Sequence, residues 1–157
     1  MKIDGTHQLN IPRERVYALL IDPEVLRRCI PGCESLDKTA ENAYVAALKV
    51  GVGMIKGRFQ GNVHLEDMRP PEHYRIVVEA KGGPGFVKGT GNFDLGERDD
   101  GTLIKYAGEM QVGGTIAAVG QRMIEAAAKM MAARFFTSLE AEAGTGEAQK
   151  GLRSIVS

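Results

Sequence analysis

The chain has 157 residues, with 20 Lys plus Arg against 20 Asp plus Glu and a formal net charge of zero. That length fits one domain with a sizeable core. The balanced charge, with no basic run interleaved with aromatics, speaks against nucleic acid as a partner. No segment reaches the ~20 apolar residues that cross a bilayer. The opening Met1-Lys2-Ile3-Asp4 lacks the apolar core of a secretion signal, so a cytoplasmic protein is expected.

Residues 2–10 alternate, with Ile3, Gly5, His7 and Leu9 on one face and Lys2, Asp4, Thr6, Gln8 and Asn10 on the other. This is the period of a half-buried strand. Asn10-Ile11-Pro12 opens a short helix whose apolar side is Val16, Leu19 and Leu20, and Asp22-Pro23 ends it. A second short helix runs from Glu24 to about Arg28 and leads into Cys29-Ile30-Pro31-Gly32-Cys33, a turn by composition. The three residues between the cysteines do not match the two-residue spacing of redox or zinc pairs, and His7, His64 and His73 lie far from them in sequence. No metal is expected, and the cysteines read as structural thiols.

A run of strands follows. Tyr44, Ala46, Leu48 and Val50 share one face of residues 44–50. Over residues 54–66, Ile55, Gly57, Phe59, Gly61, Val63 and Leu65 alternate with polar neighbours. After the Pro70-Pro71 break, Tyr74, Ile76, Val78 and Ala80 face inward, and Gly82-Gly83-Pro84-Gly85 forms a loop. Residues 86–95 place Val87, Gly89, Gly91, Phe93 and Leu95 inward. Asp99-Asp100-Gly101 signals a hairpin, and the last strand carries Ile104, Tyr106, Gly108, Met110 and Val112 inward.

From Gly113-Gly114-Thr115 to about Glu142 the pattern is one long helix, roughly 28 residues or ~40 Å, with Thr115 as N-cap. Ile116, Val119, Gly120, Met123, Ala127, Met130 and Met131 fall on its apolar face; Gln121, Glu125 and Lys129 fall opposite. Arg134 sits above Met130 on the apolar side, either snorkelling or donating at a cavity mouth. Phe136 falls toward the polar side, where Phe135-Phe136 would pack under a loop or make a small exposed contact. The helix is expected to stop at Ala143-Gly144. This divides the chain into a domain over residues 1–143 and a flexible tail over 144–157.

One strand, two short helices, consecutive antiparallel strands and one long helix give an α+β helix-grip fold: a curved antiparallel sheet wrapped around a C-terminal helix. Gly5, Gly57, Gly61, Gly89, Gly91 and Gly108 occupy the inward phase, where a filled core would carry Val or Leu. With the soft Ala/Met helix face, they predict an apolar ligand cavity between sheet and helix. Its expected lining is Phe59, Gly61, Val63, Ile76, Val78, Gly89, Gly91, Phe93, Tyr106, Gly108 and Met110 from the sheet. The helix would add Ile116, Gly120, Met123, Ala127 and Met130. Tyr44, Tyr74, Tyr106 and His7 are the polar groups in the inward phase. The mouth is expected near Pro31, Gly83 to Gly85, or the helix end.

Ile11-Pro12-Arg13-Glu14-Arg15-Val16-Tyr17-Ala18-Leu19-Leu20, Asp22-Pro23-Glu24-Val25-Leu26 and Cys29-Ile30-Pro31-Gly32-Cys33 resemble the family of carbon monoxide dehydrogenase G subunits. So do Lys56-Gly57-Arg58-Phe59-Gln60-Gly61 and Gly113-Gly114-Thr115-Ile116-Ala117. The resemblance spans about residues 1–142 and places the chain in the START-like helix-grip superfamily, with the lipid-transfer domains, pollen allergens and polyketide cyclases. It implies a non-catalytic accessory protein beside a carbon monoxide dehydrogenase-like molybdenum hydroxylase, at the inner membrane face. Such a protein would recruit the enzyme to the membrane or carry a quinone or other lipophilic ligand to it. No covalently held cofactor is expected. The family's membrane role is often placed in a C-terminal extension, whereas residues 144–157 here form only a short Gly/Ser-containing segment with few apolar residues, which would hold a bilayer weakly. Two other readings remain: a small enzyme of polyketide cyclase type, which needs an inward carboxylate in reach of His7, and a tethering or maturation module with a filled interior.

Overall fold

The computed structural model describes residues 1–143 in backbone and side chain, and residues 144–156 in backbone only. The elements are β1 (Lys2–Leu9), α1 (Arg13–Leu20), α2 (Pro23–Cys29), β2 (Cys33–Ala40), β3 (Ala43–Val52) and β4 (Ile55–Arg69). They continue as β5 (His73–Gly82), β6 (Gly85–Arg98), β7 (Gly101–Gly113), a 3-10 turn (Thr115–Val119) and α3 (Gln121–Val156). The seven strands form one antiparallel sheet in the order β1-β7-β6-β5-β4-β3-β2. The helix-grip arrangement expected from the sequence is therefore present.

Local chemistry explains most boundaries. Asp22 caps α2 by accepting from the Glu24 amide at 3.0 Å, and Pro23 stands at its start, where a missing N–H costs nothing. The β6–β7 hairpin closes between Arg98 and Gly101, with Asp99 (φ 51) and Asp100 (φ 61) in the left-handed region that a two-residue turn requires. Strand β2 is an addition to the expected elements. It is an edge strand on which Leu36 is the single buried residue, so its sequence carries almost no alternation.

The long helical pattern is not one helix. The Thr115 hydroxyl donates to the Pro84 carbonyl at 2.9 Å instead of capping a first turn. Residues 115–119 wind as a 3-10 turn, and Gly120 at φ 96, ψ 150 breaks the rod before α3 begins. That backbone region is open essentially to glycine alone. The break resets the helix phase. Ile124, Ala127, Phe136, Leu139 and Ala143 are buried, whereas Met123 and Met130 are 43% and 44% exposed. Met123 and Met130 thus leave the apolar face assigned to them, and Phe136 moves from the polar side to the centre of the core at 2% exposure. Arg134 does stand beside Met130, but on the outer face. Glu125 and Lys129 pair across one turn at 3.4 Å as the spacing predicts. α3 does not stop at the expected Ala143-Gly144 but continues in backbone to Val156, while the side chains of the tail expected over 144–157 lie outside the described residues.

Two apolar cores result. The larger joins Leu9, Val16, Tyr17, Leu20, Tyr74, Leu95, Ile104, Phe136 and Leu139 under α1 and α2. The smaller, at the other end of the sheet, comprises Ile55, Phe59, Ile116, Ile124 and Ala127. Thr102 ties the entry to α1 by donating to the Ile11 carbonyl at 2.7 Å, and Arg28 binds Glu142 through Nε at 2.9 Å, fixing α2 to α3.

Candidate functional site

Between the concave face of the sheet and α3 lie two adjoining apolar cavities. One, of about 320 Å3, is bounded by Ile3, Ile76, Val78, Val87, Gly89, Gly91, Phe93, Tyr106, Gly108 and Met110, with Ala128 and Ala132 of α3 closing it. Thr90, Ala107 and Glu109 border it from the outward phase of β6 and β7. The other, of about 250 Å3, sits in the smaller core. Leu48, Val50, Ile55, Phe59, Ala80, Val112, Ile116, Ile124, Ala127 and Met131 line it. Val78, Val87, Met110 and Ala128 are walls common to both. Alanines recur on the buried face of α3, so the helix closes these spaces without filling them.

Of the lining residues expected from the sequence, Phe59, Ile76, Val78, Gly89, Gly91, Phe93, Tyr106, Gly108, Met110, Ile116 and Ala127 stand on the cavity walls. The other five do not. Val63 packs against the larger core. A Cβ on Gly61 would come within 2.9 Å of the Glu79 carbonyl oxygen, so that glycine marks a close approach of β5. Gly120 is the break before α3, and Met123 and Met130 face outward. Ile124, Ala128 and Ala132 are wall residues that periodicity missed, because a phase carried through Gly120 points them elsewhere.

The inward glycines differ from the expectation that they leave empty volume. The space beside Gly5 is taken by the Tyr106 ring and that beside Gly57 by Pro84. At Gly89 an added Cβ would meet the Glu109 carbonyl oxygen at 3.0 Å, and at Gly108 it would collide with the Thr90 carbonyl. These glycines mainly let neighbouring strands approach closely in a strongly bent sheet. The empty volume comes from the small side chains of α3.

The polar groups near the interior sort by environment. Tyr74 stacks on Phe93 at 4.8 Å, and its full burial pushes the phenol far above its usual range. Burial also raises Tyr17, whose hydroxyl donates to the His73 carbonyl at 3.1 Å. His73 itself is buried, with Nδ1 2.8 Å from Asp94 and Nε2 3.1 Å from Asp67, a cluster at the end of the sheet away from the smaller core. His7 stacks on Phe136 at 5.1 Å, and its Nε2 has no hydrogen-bond partner among the described residues. Among the described residues, Tyr106 is the one tyrosine on a cavity wall.

A third depression, about 560 Å3 and more open, lies between the Cys29–Cys33 turn and the outer face of α3. It is larger than either interior cavity, but its lining includes Arg27, Arg28 and Arg134. An apolar ligand gains most where it is removed from water, which favours the interior pair. Pro31, expected at the cavity mouth, borders this outer groove. Both cysteines are free thiols; burial pushes Cys29 up to about 11 and also raises Cys33. Among the described residues, no group of three or more His, Cys, Asp or Glu side chains is arranged so that it could hold a metal ion.

Residues 5–144 match the family described as the G subunit of carbon monoxide dehydrogenase (CoxG). The chain belongs to that family. It is similar, at 36% identity, to a conserved protein from Geobacillus kaustophilus, with a TM-score of 0.90 over 92% of this chain and 96% of that one. A protein from Mycobacterium smegmatis is 14% identical, with a TM-score of 0.70 over 92% of each chain. One from Thermus thermophilus is 17% identical, with a TM-score of 0.65 over 90% of this chain and 95% of that one. These last two speak for the fold alone. No curated protein matches the chain. The CoxG family carries the name of a dehydrogenase subunit, which agrees with an accessory role for its members. Among the described residues, no helix of this CoxG chain is long and apolar enough to cross a membrane.

Proposed function

We propose that the chain is a non-catalytic carrier. It serves a carbon monoxide dehydrogenase-type molybdenum hydroxylase by holding a lipophilic ligand, a quinone in the first instance, in the cavities between sheet and α3. The observation that supports this reading is the adjoining pair of partly open spaces whose walls are mainly aliphatic and aromatic and on whose α3 side stand Ala127, Ala128 and Ala132. Such walls give an isoprenoid or quinone ring a large transfer gain from water, at roughly 25 cal/mol per Å2 of apolar surface buried. Tyr106 offers a phenolic donor for a carbonyl oxygen of the bound ring. A ligand of this kind resides in the bilayer, so the carrier works at the inner membrane face and brings its partner enzyme there.

The test is organic extraction of the protein purified from a respiring bacterium, followed by mass spectrometry of the extract. The carrier reading expects near-stoichiometric quinone. It also expects at least ~tenfold less in Ala127→Phe, whose ring would occupy the smaller cavity at a cost of ~1–3 kcal/mol to anything competing for the space. A lipid-free extract, together with no binding of added decylubiquinone, contradicts it.

A further inference from the structure

The formal charge of zero conceals an uneven distribution between the two ends of the sheet. At one end of the sheet the β3–β4 turn, the β5–β6 turn and the 3-10 turn come together. Pro84 covers Gly57, and its carbonyl accepts from the Ile116 amide at 2.8 Å and from the Thr115 hydroxyl. The segments forming this end, residues 49–58, 80–88 and 111–124, contain Lys49, Lys56, Arg58, Lys81, Lys88 and Arg122 and not one Asp or Glu. All six cations are exposed. Arg58 pairs with Glu34 and Lys88 with Glu79, whereas Lys49, Lys56, Lys81 and Arg122 have no ion pair among the described residues. The opposite end, with the β4–β5 and β6–β7 turns, gathers Glu66, Asp67, Glu72, Asp94, Glu97 and the Asp99-Asp100 pair against Arg13, Arg69, Arg75, Arg98 and Lys105.

The cationic end also holds most of the exposed large apolar side chains. Met54 is 72% exposed at the tip of β3–β4, Phe86 37% at the start of β6, and Met123 43% in the first turn of α3. Exposed Ala117 and Ala118 lie between them along the chain. Ile55 and Ile116, in these same turns, are walls of the smaller cavity. Apolar tips surrounded by four unpaired cations, where the nearby Glu34 and Glu79 are each held by a cation of their own, are complementary to the headgroup layer of an anionic bilayer.

We propose that this end of the molecule docks on an anionic lipid surface. Lys49, Lys56, Lys81 and Arg122 meet the phosphates, and Met54, Phe86 and Met123 enter the interface. The purpose of the surface rests on the carrier reading, because docking there puts the cavity nearest the bilayer; its chemistry does not. The acidic end then points away from the membrane, and the uneven charge distribution orients the molecule before contact.

The test is co-sedimentation of the full, ligand-free chain with vesicles of phosphatidylcholine alone and of phosphatidylcholine mixed with phosphatidylglycerol. Binding is expected to the mixed vesicles only and to weaken as salt rises. The double variant Lys56→Glu with Arg122→Glu should lower the partition coefficient at least ~tenfold, and Met54→Ser with Met123→Ser should lower it at unchanged salt dependence. All four side chains are exposed, so a thermal melt close to that of the parent protein will accompany these losses. Binding that ignores the charge reversals, no binding to either vesicle, or retention only by an acidic protein partner overturns the proposal. Because ligand-free protein is used, a lipid-free extract would remove the carrier reading and leave the docking surface standing; failure of the charge reversals would do the opposite.

Discussion

Phe136 stacks on His7 at 5.1 Å and tilts against Tyr106 at 5.6 Å, joining α3 to β1 and β7. Its truncation in Phe136→Ala should cost about 3–5 kcal/mol, because neither neighbouring ring can collapse into the gap. A urea titration reads this as a lower midpoint at unchanged slope. Cys29 carries a pH signature. Burial first, and Glu142 second, raise its thiol from 9.0 to about 11. In the unfolded chain the thiol ionises above 9.0, while in the folded one it keeps its proton, so between these values the folded state binds more protons. The contribution to stability is therefore complete below pH 9.0 and is lost as pH rises through about 11. Over that window the urea midpoint of the parent protein should fall more steeply than that of Cys29→Ala; parallel curves would show that burial does not hold the proton.

At the scale of elements, Gly120 decides how α3 meets the sheet. Its φ of 96 and ψ of 150 exclude other residues without strain, so Gly120→Ala should destabilise by about 1–3 kcal/mol. It should also disturb amide resonances of residues 115–124 while leaving those of α1 and α2 in place. The same residue marks where the sequence stops being legible. Strands β1 and β3 to β7 announce themselves by alternation, and the α1–α2 pair by Pro12 and Asp22-Pro23, because in each the local period and the buried face agree. The helix face cannot be read through Gly120. A periodic count assumes an unbroken rod, so it exposes Phe136 and buries Met123 and Met130 in error. Strand β2 escapes because an edge strand with one buried side chain has no period to detect. The inward glycines correctly signal a bent sheet, but whether they leave space or let backbones touch depends on neighbours such as Tyr106 and Pro84, which no local pattern brings together.

Across the whole molecule, the two cores act as clamps at either end of α3, and the alanine-faced stretch between them leaves room. The carrier account places its ligand in that room and not in the larger outer groove beside the Cys29–Cys33 turn. Methionines distinguish the two. Met110 and Met131 stand on the cavity walls, Met130 borders the outer groove, and Met54 lies at the exposed β3–β4 tip. The most direct measurement is a titration of protein carrying carbon-13 methionine methyl groups with decylubiquinone, followed by NMR. The account predicts saturable shifts at Met110 and Met131, with nuclear Overhauser contacts from their methyls to the quinone, and little change at Met130. Saturable shifts confined to Met130, or none at either cavity methionine, would contradict it.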